Sequence, residues 1–104
     1  MIRRSKFTAK EVDAKPVMVF GPARIVILSG ILKATDLQSD GSFECSIAMP
    51  ESSDFARKYG LRTFALNDYF WSKLRQSPDG NEFHLHIRTQ SNLEEFLRVG
   101  RHQG

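Results

Sequence analysis

A chain of 104 residues with 40% hydrophobic residues fits one globular domain with a single core. Its one cysteine excludes an internal disulfide and a cysteine-rich zinc site, and the lack of a long apolar run predicts a cytoplasmic protein with no membrane contact. The formal net charge of +3 permits an acidic partner such as nucleic acid but does not require one.

The first fifteen residues are basic and contain few apolar side chains. Their cations are Arg3, Arg4, Lys6, Lys10 and Lys15. A segment of this composition has little to bury, so it predicts a flexible arm over residues 1–15, followed by one globular domain over residues 16–104. No structural role explains this concentration of charge, and we expect the first four of these cations to contact the phosphates of nucleic acid.

Two neighbouring strands are predicted between residues 24 and 49. The segment 24–35 is almost continuous in isoleucine, valine and leucine, which is typical of a strand covered on both faces. The segment 42–49 alternates apolar and polar residues, with Cys45 on the apolar side. A turn that ends in Asp-Gly joins the two segments, so they are predicted to form an antiparallel hairpin over 24–49. The short apolar piece 17–20 is a candidate for a further strand.

Two helices, 52–60 and 67–76, are predicted after the hairpin, and a third helix, 91–100, near the end of the chain. Serine and asparagine caps mark the first two helices at their beginnings. The third begins with a capping box formed by Ser91 and a glutamate three residues later, and Gly100 is predicted to end it.

The second predicted helix carries three aromatic residues in succession, which cannot all face one core at 3.6 residues per turn. Phe70 and Trp71 align with Leu74 and are predicted to be buried. Tyr69 joins Lys73 on the adjoining face. A partly exposed tyrosine beside a lysine suits base stacking or a protein contact, although a core helix with a boundary tyrosine is the simpler interpretation.

The segment EFHLHIRT, residues 82–89, alternates strictly and predicts a strand with one apolar and one polar face. The polar face holds Glu82, His84, His86 and Arg88, and the inward residues are Phe83, Leu85 and Ile87. A solvated strand face is the simplest interpretation. The alternative is a face on which the two histidines and the arginine contact an anion or nucleic acid. A metal site needs further ligands and is disfavoured by the arginine, so no metal and no other cofactor is predicted.

The sequence contains no constellation that supports catalysis. Cys45 shares a strand face with apolar residues, which predicts a buried, unreactive thiol. Nucleophile elbows, phosphate-binding loops and dinucleotide fingerprints are absent from the sequence. Glu94 and Glu95 lie in the first turn of a helix, where compensation of the helix dipole explains them. An enzyme is therefore not the favoured class.

The order of these elements predicts an α+β fold, in which the hairpin 24–49 and the strand 82–89 form a small antiparallel or mixed sheet packed with two to three helices. An OB-like barrel is the alternative. The predicted function is a small non-enzymatic module that contacts nucleic acid through the basic arm and the His84, His86 and Arg88 strand face. The alternative function is a protein–protein adaptor or homo-oligomer that uses a sheet edge or the helix face of Tyr69 and Lys73.

Overall fold

The computed structural model describes residues 7–101, and its central element is a mixed sheet of six strands. In chain order the strands are β1 (Pro16–Phe20), β2 (Val26–Thr35), β3 (Glu44–Ala48), β4 (Thr63–Leu66), β5 (Arg75–Gln76) and β6 (Phe83–His86). Their order in the sheet is β4-β3-β2-β1-β6-β5. Neighbouring strands are antiparallel, except that β1 and β6 run parallel.

Within the described residues, four α-helices accompany the sheet. They are α1 (Ala9–Val12), α2 (Asp54–Tyr59), α3 (Asp68–Ser72) and α4 (Gln90–Arg101). This combination confirms the predicted α+β class, with the hairpin 24–49 present as β2 and β3 and the strand 82–89 present as β6. The edge strands β4 and β5 do not pair with each other in residues 7–101, so the sheet is open and the alternative OB-like barrel is wrong.

The helices all lie on one face of the sheet. Alternate strand residues point to this face and are buried, among them Val19, Leu32, Ile47, Phe64 and Leu85. These side chains form one hydrophobic cluster with buried side chains from all four helices, whereas the outward-facing strand residues lie outside that cluster. The sheet therefore has one covered face and one open face.

The open face corrects the prediction for β2. Its almost continuous apolar sequence predicted a strand with both faces covered. Instead, Ile31 is 40% exposed and Val26 is 51% exposed. The described helices supply a single layer, so Ile31, which alternates with buried Leu32, remains in contact with solvent. A bulge in the pairing of β1 with β2 places Val26 opposite Phe20 and exposes it on the same face.

The start of the chain also differs from the prediction, which assigned residues 1–15 to a flexible arm. In the described part of that segment, residues 7–15, the ring of Phe7 packs edge-to-face on Phe83 with 5.0 Å between ring centroids. Val12 in α1 is fully buried. Two apolar side chains therefore attach this segment to the covered face of the sheet, and their contribution is not visible in its overall basic composition.

The region between the hairpin and β6 contains more strand than predicted. The helix expected over 67–76 ends at Ser72 as α3, and the two residues of β5 pair with β6. Residues 63–66 were not recognised as a strand, yet they form β4 and pair with β3. In both places pairing with another strand decides the local structure: β5 pairs with the neighbouring β6, and β4 pairs with β3.

Both ends of α4 correct the prediction. The predicted cap Ser91 lies inside the helix, and the Thr89 hydroxyl instead accepts a hydrogen bond from the Asn92 amide at 3.1 Å. Gly100 was predicted to end the helix but lies within it, buried against Phe64. A Cβ atom at this position would overlap the phenyl ring, so the glycine allows α4 to approach β4 closely.

Replacing Gly100 with alanine is expected to lower the free energy of unfolding by about 1–3 kcal/mol, because the methyl group overlaps a buried ring. At an exposed helix position the same change raises that free energy by about 1 kcal/mol, so the sign of the effect tests the packing. Urea denaturation measures the difference. As a control, adding Phe64→Leu should make the double variant lose less than the sum of the two single losses. A variant as stable as the parent protein would contradict this account of the glycine.

Candidate functional site

The open face of the sheet brings the two predicted histidines next to an aromatic ring. The parallel pairing of β1 with β6 places Met18 beside His84 and Phe20 beside His86. The rings of Phe20 and His84 meet edge-to-face, with 5.6 Å between centroids and 87° between planes. On the other side of β6, Arg75 lies opposite His84. We call Phe20, Arg75, His84 and His86 the histidine face.

An acidic residue borders the histidine face. The Oε1 atom of Glu82 lies 3.5 Å from Nε2 of His84, and the two side chains are 38% and 39% exposed. At this exposure water screens their attraction, which is therefore weak. Among residues 7–101, no three histidine, cysteine, aspartate or glutamate side chains are grouped closely enough to hold a metal ion.

An apolar depression lies beside the histidine face on the open face of the sheet. This shallow depression of about 490 Å³ lies over β1, β2 and β3, and Pro16, Met18 and Ile31 line it. Val26, the partner of Phe20 across β1 and β2, is also exposed. The open face therefore carries an apolar depression beside the aromatic and cationic histidine face.

A cleft at the edge of β6 joins the two surfaces that the sequence predicted separately. It encloses about 120 Å³ between α3 and β6. Tyr69 and Lys73 line it from α3, His86 and Arg88 line it from β6 and the residues that follow, and Asn92 lines it from α4. We call these five residues the edge cleft. The Nζ atom of Lys73 lies 5.4 Å from the ring centroid of Tyr69, within the range of a cation–π contact.

The position of α3 explains how these side chains reach the edge cleft. The helix connects β4 and β5, the two outer strands of the sheet. Asn67 caps it by accepting a hydrogen bond from the Phe70 amide at 3.0 Å, as predicted. Phe70 and Trp71 are buried, as predicted, and they fix the orientation of the helix. Tyr69 is consequently turned outward and is 48% exposed.

The structure brings only some of the predicted phosphate-contacting residues together. Lys10 is exposed on α1, which packs on β2, so it is not placed beside His84 and His86 on β6. Phe20 and Arg75 belong to the histidine face but were not predicted. The period-2 pattern of residues 16–20 would have placed Phe20 on an outer face, but only strand pairing shows that this face is shared with β6. Three further predicted cations lie outside the described residues: Arg3, Arg4 and Lys6.

The cysteine is buried on the covered face, as the alternation of β3 predicted. Burial raises the pKa of the Cys45 thiol to about 12, and the negative charge of Asp13 adds to the effect. A thiol with this pKa stays protonated near neutral pH and is a poor nucleophile. Cys45 therefore acts as an apolar core residue.

A pair of carboxyl groups, those of Asp36 and Glu44, lies where the hairpin turn joins β2 to β3. A hydrogen bond to Asp36 and the negative charge of that residue raise the pKa of Glu44. Both side chains are exposed, and Asp36 has a positive φ of 56° at the end of β2. The two carboxyl groups therefore belong to the exposed turn between β2 and β3.

Comparisons with protein-family models, with curated proteins and with solved structures found no match for this chain. The four described α-helices contain between four and twelve residues. None of the helices in residues 7–101 is long and apolar enough to cross a bilayer.

Cys45 is expected to resist alkylation by iodoacetamide at about pH 8 in the folded protein, because its buried thiol remains protonated. In concentrated urea the same thiol should react at the rate of a free cysteine. Mass spectrometry of samples quenched over time measures both rates. Rapid modification of the folded protein, with circular dichroism unchanged, would show that the thiol is accessible and that the burial argument is wrong.

Proposed function

We propose that this protein is a small binding module that contacts single-stranded nucleic acid on the histidine face. The observation that carries the proposal is the contact of the Phe20 and His84 rings on an uncovered sheet face, flanked by Arg75 and His86. Single-stranded nucleic acid exposes flat bases and charged phosphates, and this face offers groups that can contact both.

Bases are the ligands for the rings of the histidine face. Phe20 and the two imidazoles project from neighbouring strands, so consecutive bases can stack across β1 and β6. Stacking of a base on an aromatic side chain contributes about 1–3 kcal/mol and tolerates every base. We therefore expect the protein to bind single-stranded nucleic acids with little sequence specificity.

Phosphates are the ligands for the cations that border the face. Arg75 lies on β5 next to His84, and Arg88 follows His86 by two residues. Arg3, Arg4 and Lys6, which lie outside the described residues, are assigned to additional phosphate contacts, whereas Lys10 on α1 lies away from the histidine face and is not included. Because the formal net charge is only +3, binding should be moderate in affinity and sensitive to salt.

The layered architecture favours single strands over a duplex as the ligand. Duplex DNA presents base edges in grooves, and a protein commonly reads them with a projecting helix or a two-stranded ribbon. The helices in residues 7–101 all pack on the covered face of the sheet, away from the histidine face. An open sheet with outward rings instead fits bases that are unstacked and accessible.

Fluorescence polarisation with a labelled short oligothymidine, measured at several salt concentrations, tests the proposal. Phe20→Leu keeps an apolar side chain but removes the ring, and we expect it to weaken binding about fivefold through the loss of stacking. Arg75→Gln should reduce the slope of log K against log salt by about 0.7, the value for one lost phosphate contact on a single strand.

Arg57→Gln is the matched control, because Arg57 is an exposed arginine on α2, on the covered side of the sheet. It should leave both the affinity and the salt slope almost unchanged. Absence of binding to any oligonucleotide at low salt would end the proposal. Equal losses in the Arg75 and Arg57 variants would show that the contact is not on the histidine face.

The double variant His84→Gln/His86→Gln is expected to weaken oligothymidine binding about fivefold, because it removes two rings from the histidine face. Its melting temperature should change little, because substitutions at accessible sites usually alter stability by about 0.5 kcal/mol or less. An unchanged affinity in that variant would contradict the role of the histidines.

A further inference from the structure

One edge of β6 has no neighbouring strand beyond the end of β5 in the described chain. The pairing of β5 with β6 ends at Arg75 opposite His84. On the other edge of β6, the Ile87 amide donates a hydrogen bond to the Phe20 carbonyl of β1 at 2.7 Å. Successive peptide groups of a strand point to opposite edges, so the amide and carbonyl of His86 point away from β1. They face the side that β5 leaves free.

The edge cleft lies at this free edge. The chain before Arg75 turns into α3 instead of continuing along β6, and the cleft remains between the helix and the strand. Phe70 and Leu85 contribute apolar surface to its lining. Of the described residues that line it, Lys73 and Arg88 are cations and none is a carboxylate. The cleft therefore combines a free strand edge, an apolar lining and positive charge.

We propose that the edge cleft binds an extended peptide with acidic side chains, which adds to β6 as a further antiparallel strand. The peptide continues the line of β5, and its residue opposite His86 exchanges two backbone hydrogen bonds with that residue. Carboxylates of the peptide pair with Lys73 on the helix side and with Arg88 further along β6. The exposed ring of Tyr69 covers the peptide from α3.

Two other occupants fit the edge cleft less well. A second copy of this chain, paired edge to edge through β6, would bring two sets of the same cations together and would be repelled. A single-stranded nucleic acid would satisfy the cations, but its phosphodiester backbone has no donor for the His86 carbonyl. A peptide supplies both a donor and an acceptor at the spacing of a strand.

This interaction goes beyond nucleic-acid binding, because the two proposals share Arg88 but otherwise use different groups. The histidine face uses side chains that project from the open face of the sheet, whereas the edge cleft uses the peptide group of His86 and the side chains of Tyr69, Lys73 and Arg88. Phe20→Leu should therefore weaken oligothymidine binding and leave peptide binding unchanged. Either proposal can fail while the other holds.

The test uses the full chain and a labelled peptide that alternates valine with glutamate and is capped at both ends. Fluorescence polarisation measures its binding to the parent protein, to Lys73→Gln/Arg88→Gln and to Tyr69→Ala. We expect the charge variant to bind about tenfold more weakly, because two ion pairs are lost, and the tyrosine variant to bind several-fold more weakly. The matched control Arg57→Gln/Lys58→Gln, on α2, should bind like the parent protein. Thermal melting confirms that each variant is folded.

Two further probes distinguish strand addition from simple charge attraction. A peptide with lysine in place of glutamate should bind at least tenfold more weakly than the glutamate peptide. A glutamate peptide whose central amide is methylated loses one backbone donor and should also bind about tenfold more weakly. Nuclear magnetic resonance should show slower solvent exchange of the His86 amide when the glutamate peptide is bound.

Several results would overturn the proposal. They are undetectable binding of the glutamate peptide at millimolar concentration, equal affinity for the lysine or methylated peptide, and an equal loss in the α2 control. Displacement of the peptide by oligothymidine, with the His86 amide protected by the oligonucleotide instead, would assign the cleft to nucleic acid and exclude a peptide partner.

Discussion

The parallel pairing of β1 with β6 connects two segments that are distant in the chain, and both candidate surfaces depend on it. It places Phe20 beside the histidines of β6 and so creates the histidine face. It also occupies one edge of β6, and the alternation of peptide groups then directs His86 to the opposite edge. If β6 did not pair with β1, it would have neither a defined open face nor a defined free edge.

The one-sided packing of the helices results from an aromatic core. Phe64 on β4 contacts Phe55 of α2 and Phe96 of α4, with ring centroids 5.4 Å and 4.6 Å apart, and it also packs on Gly100. Phe7 extends the same ring contacts to β6 at the other side of the sheet. All four α-helices of residues 7–101 contribute side chains to the core on this face, so none of them covers the other face. The exposed apolar residues of β2 are a consequence of this arrangement, and they make the open face a natural contact surface.

The two proposed ligands are both anionic, but the protein would recognise them by different means. On the histidine face, the rings supply stacking and the net charge supplies only modest, salt-dependent attraction. In the edge cleft, the backbone of His86 supplies direction and the side chains of Lys73 and Arg88 supply charge selectivity. The side chains of a strand project perpendicular to the sheet, whereas its peptide groups form hydrogen bonds within the plane of the sheet. One short strand can therefore serve both surfaces.

The sequence by itself determined those features that arise from local periodicity and local capping. Alternation over 82–89 correctly predicted which side chains of β6 are buried, and alternation over 42–49 predicted the buried position of Cys45. The asparagine cap of α3 and its buried aromatic pair were also predictable, because both depend on neighbours within one helical turn. The helix face of Tyr69 and Lys73, named as an alternative contact surface, came from the same kind of local pattern.

Only the tertiary structure decided which of these local elements meet. The strand β4, the partner of β1, the attachment of Phe7 and Val12, and the role of Gly100 all depend on contacts between residues far apart in the chain. The edge cleft exists because α3 connects the two outer strands and β5 is only two residues long. Strand register and helix placement minimise the free energy of the whole chain, and a segment's own pattern contains no information about the partner that will complete it.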